Sequence, residues 1–487
     1  MTGIRNAAAG IVFRGDGDEV LLCKRNAQLK FMPGSWVFPG GRIDEQEGTQ
    51  HVVGAADEQQ AIAIHAACRE IFEESGLLCV EGRLPSDDEA HAARLRVLEN
   101  PAEFDVLLNS HGLSIHAADF EPAGVWTTPP MTKIRFHTRY YMYRYRGPWE
   151  PRLVEGEMVD LGWVTPAGAR REWHEGRRKL PHPVAFVLKN LADENHPDVM
   201  GLLRQTSVTH DPKFGRIEFS CGINVLALES TPLPPATHTN CILLGARDLY
   251  VIDPGTDEDH EFEHLSTQID HHLVSGGRVA GVLLTHGHRD HIGAAPFLRE
   301  KYGAPVFAHP ATTHQFRFEV DQFLHDGQII DVAGDPGWRI KCLFTPGHDP
   351  GHVAFLEETT KALLAGDMVA QMGTVIVAPR IGGNMQDYLD SLQKLKHEDI
   401  RMIIPAHGFP IHRPHEYLQE IIDHRLEREQ KLMDALEDGL RSMNDLIPRV
   451  YDDVDESLWP LAEQTLLAHL DRLGHQVDEG NRVSMGR

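Results

Sequence analysis

The chain has 487 residues, more than one hydrophobic core normally serves, so two or more domains are expected. Its composition, 41% apolar and 24% charged, is that of an ordinary globular protein, and it lacks any run of about 18 apolar residues that could span a bilayer. The formal charge of −25 is unevenly held: residues 207–487 have 24 Lys+Arg against 43 Asp+Glu, a field that repels polyanions at long range.

The first residues lead within ten positions into a strand-like stretch, with no basic, apolar and cleavage regions of a signal peptide, so a cytoplasmic protein is expected. Six scattered cysteines without a Cys-x-x-Cys pair suit free thiols in a reducing compartment. In chain order, residues 6–13 and 19–24 read as a hairpin, and 33–41, with Gly and Pro at both ends, as loop, short strand and loop. Residues 61–75 have helical apolar spacing and end at Gly76. Strands over 139–145 and 158–164 and a helix over 183–191 follow, then a polar stretch that opens a linker. Beyond it, strands at 223–228, 241–244 and 250–252 begin an alternation of strands and helices down to 402–404, and helical segments over 416–432, 444–450 and 458–473 close the chain.

Two constellations carry chemistry. Glu70, Glu73 and Glu74 stand at i, i+3 and i+4, so a helix sets three mutually repelling carboxylates on one face. Such hard oxygen donors suit Mg²⁺ or Mn²⁺. The order Gly41-x5-Glu47, then Arg69-Glu70-Ile71-x-Glu73-Glu74-x-Gly76-Leu77, resembles the Nudix box, and the resemblance runs over roughly residues 6–195. It implies cleavage of a diphosphate, with Glu70, Glu73 and Glu74 as metal ligands or base and Glu47 and Arg69 bracing the box by pairing with each other. One departure is evident: 21 residues separate Glu47 from Arg69 where the family has seven, which leaves the register of Glu47 open and makes polar 48–60 a candidate loop. Together with Phe31-Met32-Pro33-Gly34, this insertion looks like the branch holding coenzyme A diphosphatases and points to CoA, acyl-CoA or another nucleoside diphosphate derivative. Lys24 and Arg25 are candidate phosphate contacts, and Glu155 or Glu157 a further metal ligand, though solvated surface roles are the commoner fate of such residues.

The second constellation is His286-x-His288-x-Asp290-His291 after an apolar strand, followed by His348 in Thr-Pro-Gly-His, Asp367 in Ala-Gly-Asp and His407 in Pro-Ala-His-Gly. Loops at strand ends are where layered α/β proteins place their sites. This set resembles the metallo-β-lactamase superfamily over about residues 215–415. The resemblance implies one zinc on His286, His288 and His348, a second on Asp290, His291 and His407, Asp367 between them, and Asp253 steadying a ligand histidine. It also implies a zinc-held hydroxide as nucleophile, with Asp290 in the catalytic set. His352 is near enough in sequence to serve the site or a structural hydrogen bond.

The ligands do not choose the substrate. The tail His424-Arg425-Leu426-Glu427-Arg428-Glu429 looks like the branch of lactamase-beta-like endoribonucleases with a winged-helix-like end, which implies single-stranded RNA. A thioesterase of the glyoxalase II kind competes with it, because thioester cleavage complements a CoA diphosphatase. A third reading makes one domain a regulatory ligand-binding module. The expected architecture is thus mixed α/β and α+β: a Nudix α/β/α sandwich over residues 1–195, a linker over 196–214, an αββα sandwich over 215–415 and a helical cap over 416–487. The expected activity is a bifunctional hydrolase acting on small molecules, without membrane association; oligomeric state is left open.

Overall fold

The computed structural model describes residues 4–15, 18–29, 31–44, 47–128, 135–193, 198–205, 216–274, 276–478 and 480–485. The chain divides into two compact units, Met1–Cys221 and Gly222–Arg487.

In the first unit, strand Arg5–Arg14 is central: it runs antiparallel to Glu19–Arg25 and Gly40–Arg42 and parallel to Phe136–Arg144. Glu19–Arg25 adds Met158–Val164 and Trp36–Val37, and Phe136–Arg144 adds Phe120–Thr127. The helix Glu58–Ser75 starts where the Asp57 side chain accepts from Gln60 N and stops at Gly76, whose φ of 81° only glycine adopts without strain. It lies on the central strand at Gly10, where an added Cβ would meet Ile71 Cδ1 at 2.4 Å. Ile71 and Phe72 are fully buried there, each contributing roughly 1.5–3 kcal/mol by leaving water.

Several features depart from the sequence reading. Residues 48–60 are more than a loop, because Val52–Val53 pairs parallel with Ile115–His116. Helices Asp87–Glu99 and Glu103–His111 were not anticipated; the first opens with a capping box, Ser86 and Glu89, a local signal that outweighs its weak apolar periodicity. Helix Val199–Gln205 sits inside the expected linker, whose residues 196, 197 and 206–214 lie outside the described residues.

In the second unit, strands Ile223–Glu229, His238–Gly245, Asp248–Ile252, Arg278–Leu283, Val306–Ala308 and Gln322–Phe323 are neighbours in that order. The second sheet orders Ile329–Val332, Trp338–Phe344, Val353–Glu357, Ala362–Leu364 and Met402–Ile404. Helices Asp259–His272 and Ala295–Tyr302 pack on the first sheet through Leu265, Ile269 and Leu298, and Met385–Lys396 and Pro414–Glu437 on the second through Leu392, Leu418 and Ile422. Covered on both faces, the central strands read as continuous apolar runs, which is why they were visible as strands. A third core joins Leu432, Leu446 and Leu466 from the three terminal helices, and hairpin His475–Val477/Val483–Met485 closes this end of the chain. Among the described residues no helix is long and apolar enough to cross a membrane. All six cysteines are buried.

Gly40 gives a test of the first sheet. An added Cβ would lie 2.6 Å from Ala9 Cα and 2.7 Å from Ala8 O, backbone that cannot swing away. Gly40→Ala is expected to destabilise the first unit by about 1–3 kcal/mol, read as a lower urea midpoint.

Candidate active sites

On the helix Glu58–Ser75, His65, Arg69 and Glu73 form a stripe at spacings of four, with Glu70 and Glu74 beside it. Arg69 is the hub. Its Nη2 donates to Glu47 Oε1 at 2.6 Å and to the Arg42 carbonyl at 3.1 Å, and its Nη1 to Glu73 Oε1 at 2.7 Å, with Glu70 Oε1 3.0 Å away. Glu74 Oε2 accepts from Gly40 N at 3.3 Å. A Cβ at Gly41 would sit 2.4 Å from Glu70 Oε1, so any side chain there would displace the Glu70 carboxylate. Burial, with Glu73 alongside, raises Glu70 to about 8; burial and Glu70 push Glu74 well up. The Arg69 guanidinium meets both Glu70 and Glu73, and among the described residues the three box carboxylates do not gather their oxygens within 4.8 Å of one another. Glu157 pairs with Arg25 at 2.8 Å, close enough to raise Glu70 and Glu74 further; Lys24 lies near the Trp36 ring.

Sequence reasoning missed the other half of the brace. His65 Nδ1 lies 2.6 Å from Glu47 Oε2, and its Nε2 lies 2.9 Å from Asp105 Oδ1 on helix Glu103–His111. The helical stripe was a signal for His65; nothing local pointed to Asp105.

In the second unit every candidate ligand follows a strand end: His286, His288, Asp290 and His291 after Arg278–Leu283, His348 after Trp338–Phe344, Asp367 after Ala362–Leu364 and His407 after Met402–Ile404. The two sheets thus deliver them to one edge, where the Val353 N to Thr285 O bond, 2.9 Å, ties the loops together. Donor atoms of His286, His288, His348 and Asp367 gather within 4.8 Å of one another, as do those of Asp290, His291 and His407. Asp367 belongs to both groups by geometry. Its Oδ2 is 3.5 Å from His348 Nε2, while its Oδ1 is 3.5 Å from His291 Nε2 and 3.3 Å from His407 Nε2.

The opposite nitrogens are tied down. His291 Nδ1 meets Asp253 Oδ2 at 2.9 Å, His348 Nδ1 the Ile376 carbonyl at 2.7 Å, His407 Nδ1 the His238 carbonyl at 3.0 Å and His286 Nδ1 the Thr285 hydroxyl at 3.0 Å. Such outer bonds fix ring orientation and leave Nε2 facing inward. His288 is turned the other way, its Nδ1 3.0 Å from both His286 Nε2 and His348 Nε2. Burial and neighbouring imidazoles hold His286 well below its usual pKa and His288 at about 4; burial would lower His291 too, but Asp367, Asp253 and Asp290 push it well up. Burial would raise Asp367, but His291 and His407 outweigh it and hold the carboxyl well below its usual range. His291 Nε2 and Asp367 Oδ1 are buried without a hydrogen-bond partner, the condition of groups shaped to hold a cation. Nitrogen donors with one shared carboxylate fit a pair of zinc-like ions. His352 does not join this set; it bonds Thr345 Oγ1 at 2.9 Å and accepts from Asp367 N at 3.2 Å, orienting the shared aspartate.

Asp253 holds a left-handed backbone, φ 48°, and also accepts from Thr285 N at 2.8 Å and Thr285 Oγ1 at 2.6 Å. Asp253→Asn is expected to weaken metal binding about 10–100-fold, measured by chelator competition. Burial would lower His65, but its bonds to Asp105 and Glu47 raise it to about 9. That stabilisation is complete below the unfolded value near 6.5 and is lost as pH rises through about 9. Thermal melts of the wild type should therefore fall between these pH values, and those of His65→Gln should fall less.

A metallo-beta-lactamase superfamily model matches residues 234–407, a beta-lactamase associated winged helix domain 442–476 and a NUDIX domain 4–182. The lactamase-like protein adaB of Aspergillus niger is 29% identical over 268 residues, covering 50% of this chain and 79% of that protein. Lactamase-like protein vrtG of Penicillium aethiopicum is 30% identical over 242 residues, 45% of this chain and 71% of that protein. The atrochrysone carboxyl ACP thioesterase of Aspergillus fumigatus is 32% identical over 166 residues, 33% of this chain and 48% of the relative. The chain therefore belongs to the metallo-beta-lactamase superfamily through its second unit, carries the associated winged helix domain after it and a NUDIX domain before it, and is a hydrolase.

Proposed function

We propose that the chain is a bifunctional metal-dependent hydrolase whose first site cleaves the diphosphate of CoA, an acyl-CoA or a related nucleoside diphosphate derivative, and whose second site hydrolyses a thioester. The observation that carries the reading is Asp367, one carboxylate oxygen facing each of two donor groups. His286, His288 and His348 would hold one zinc, Asp290, His291 and His407 a second, with Asp367 shared. Bound there, the pair supplies Lewis acidity and an activated water at neutral pH. Asp253, Thr285 and the carbonyls of Ile376 and His238 hold the histidine rings in register while the acyl carbon is attacked. A thiolate leaves without a dedicated proton donor, which suits a site lined by bases.

A relative named as an ACP thioesterase supports the thioester over RNA, as does the acidity of residues 207–487. In the first unit Glu70, Glu73 and Glu74 would hold Mg²⁺ or Mn²⁺, which neutralise phosphate oxygens. Arg69 holds Glu47 and Glu73, and Arg25, which pairs with Glu157, would be the phosphate contact.

Incubation of the protein with an acyl-CoA, Mg²⁺ and Zn²⁺, followed by mass spectrometry, should give 3′,5′-ADP, 4′-phosphopantetheine and free acid. Glu73→Gln should lower diphosphate cleavage about 100-fold or more and leave thioester cleavage intact; Asp290→Ala should do the reverse. An intact thioester beside a cleaved diphosphate would refute the second assignment.

A further inference from the structure

The second unit holds a cavity of about 500 Å³ between two loops, at residues 233–235 and 370–376, and the terminal helices. Its size is that of a small-molecule pocket. Much of the wall is apolar, including Val375, Ile376, Ile421, Leu461 and Ala462, yet two arginines of helix Pro414–Glu437, Arg425 and Arg428, also line it. They differ in one respect. Arg428 is neutralised: Nη1 and Nη2 each meet an oxygen of Asp453, at 2.6 and 2.7 Å.

Arg425 is 4% exposed and meets only neutral groups, the Val375 carbonyl at 2.6 Å, Thr374 Oγ1 at 3.2 Å and the Tyr388 ring, 5.4 Å from its centroid; its Nε has no hydrogen-bond partner. Among the described residues no carboxylate pairs with it. A guanidinium taken out of water without a counter-charge is a strained arrangement that a bound anion would relieve. Two more lining residues, Tyr451 and Thr465, also bury a hydroxyl with no partner. Glu420, at the exposed rim, is the acidic residue of the wall. One uncompensated cation, two neutral hydroxyls and an apolar wall match a monoanion with an apolar body better than a strongly hydrated phosphate dianion.

We infer that this cavity is a binding site for an organic carboxylate with an apolar body, its carboxylate on Arg425 and its apolar part along Val375, Ile421 and Ala462. The site is separate from the donor atoms of the metal centre, and its occupancy does not depend on which ester that centre cleaves. It shares one strut with the centre: Ile376 lines the cavity and holds His348 by its carbonyl.

The test is calorimetric titration of the zinc-loaded full chain with octanoate, octan-1-ol and inorganic phosphate. Octanoate should bind with one saturable site, at least about tenfold tighter than the alcohol or phosphate. Arg425→Gln should weaken it by a similar factor. Ala462→Phe, which fills the cavity and leaves Arg425 in place, should abolish binding, and Leu461→Trp, at a partly exposed position, gives a second filler should the first not fold. Absence of saturation below about 1 mM, equal binding of octanol, or octanoate binding undiminished in both filled variants would overturn the inference, the last placing the carboxylate at the metal centre instead.

Discussion

Crowded donor atoms govern the second unit. His288 Nδ1 lies 3.0 Å from the Nε2 atoms of both His286 and His348, and Asp367 presents both oxygens to imidazoles, a concentration of ligand atoms that the protein must hold in place. The force comes from outside the ring of donors. Asp253, Thr285 and two backbone carbonyls take the outward nitrogens, and Asp253 accepts a left-handed backbone to reach three donors at once. The folding of the loops and the binding of ions are therefore two descriptions of one balance: the fold prepares a concentration of donors that it does not itself satisfy.

The first unit solves a related problem with opposite chemistry. There the crowded groups are carboxylates, and a buried guanidinium, Arg69, already screens part of their repulsion. Burial leaves Glu70 and Glu74 reluctant to ionise without a cation, whereas in the second unit burial lowers His286 and His288 while neighbouring aspartates raise His291.

Legibility followed locality. The box helix and the hexad 286–291 are continuous stretches, so residue type and spacing placed them on a helix face and at a strand end. His348, Asp367 and His407 were legible because each sits in a short loop with its own Gly or Pro punctuation. The outer partners were not. Ile376 and His238 act through their carbonyls, which no side-chain pattern reveals, and Asp105 reaches His65 across 40 positions. Helices Asp87–Glu99 and Glu103–His111 escaped because their exposed Leu95, Leu98 and Val106 blur the apolar stripe. Arg425 and Arg428 share a helix and a spacing that make them look alike, and only the tertiary position of Asp453 tells them apart.

Those two unanticipated helices are more than ornament on the first unit. Arg94, fully buried on Asp87–Glu99, donates Nε and Nη2 to the carbonyl of Glu73 at 3.0 and 2.9 Å, a cation at the last turn of the box helix. Asp105, on the next helix, holds the far side of the His65 ring. The last turn and the middle of the carboxylate-bearing helix are thus clamped by the same excursion of chain. Trimming residues 87–111 to reach a minimal catalytic core would therefore remove the clamps together with the excess length, and a shortened version would need a new capping cation and a replacement acceptor before it could hold its acids in line.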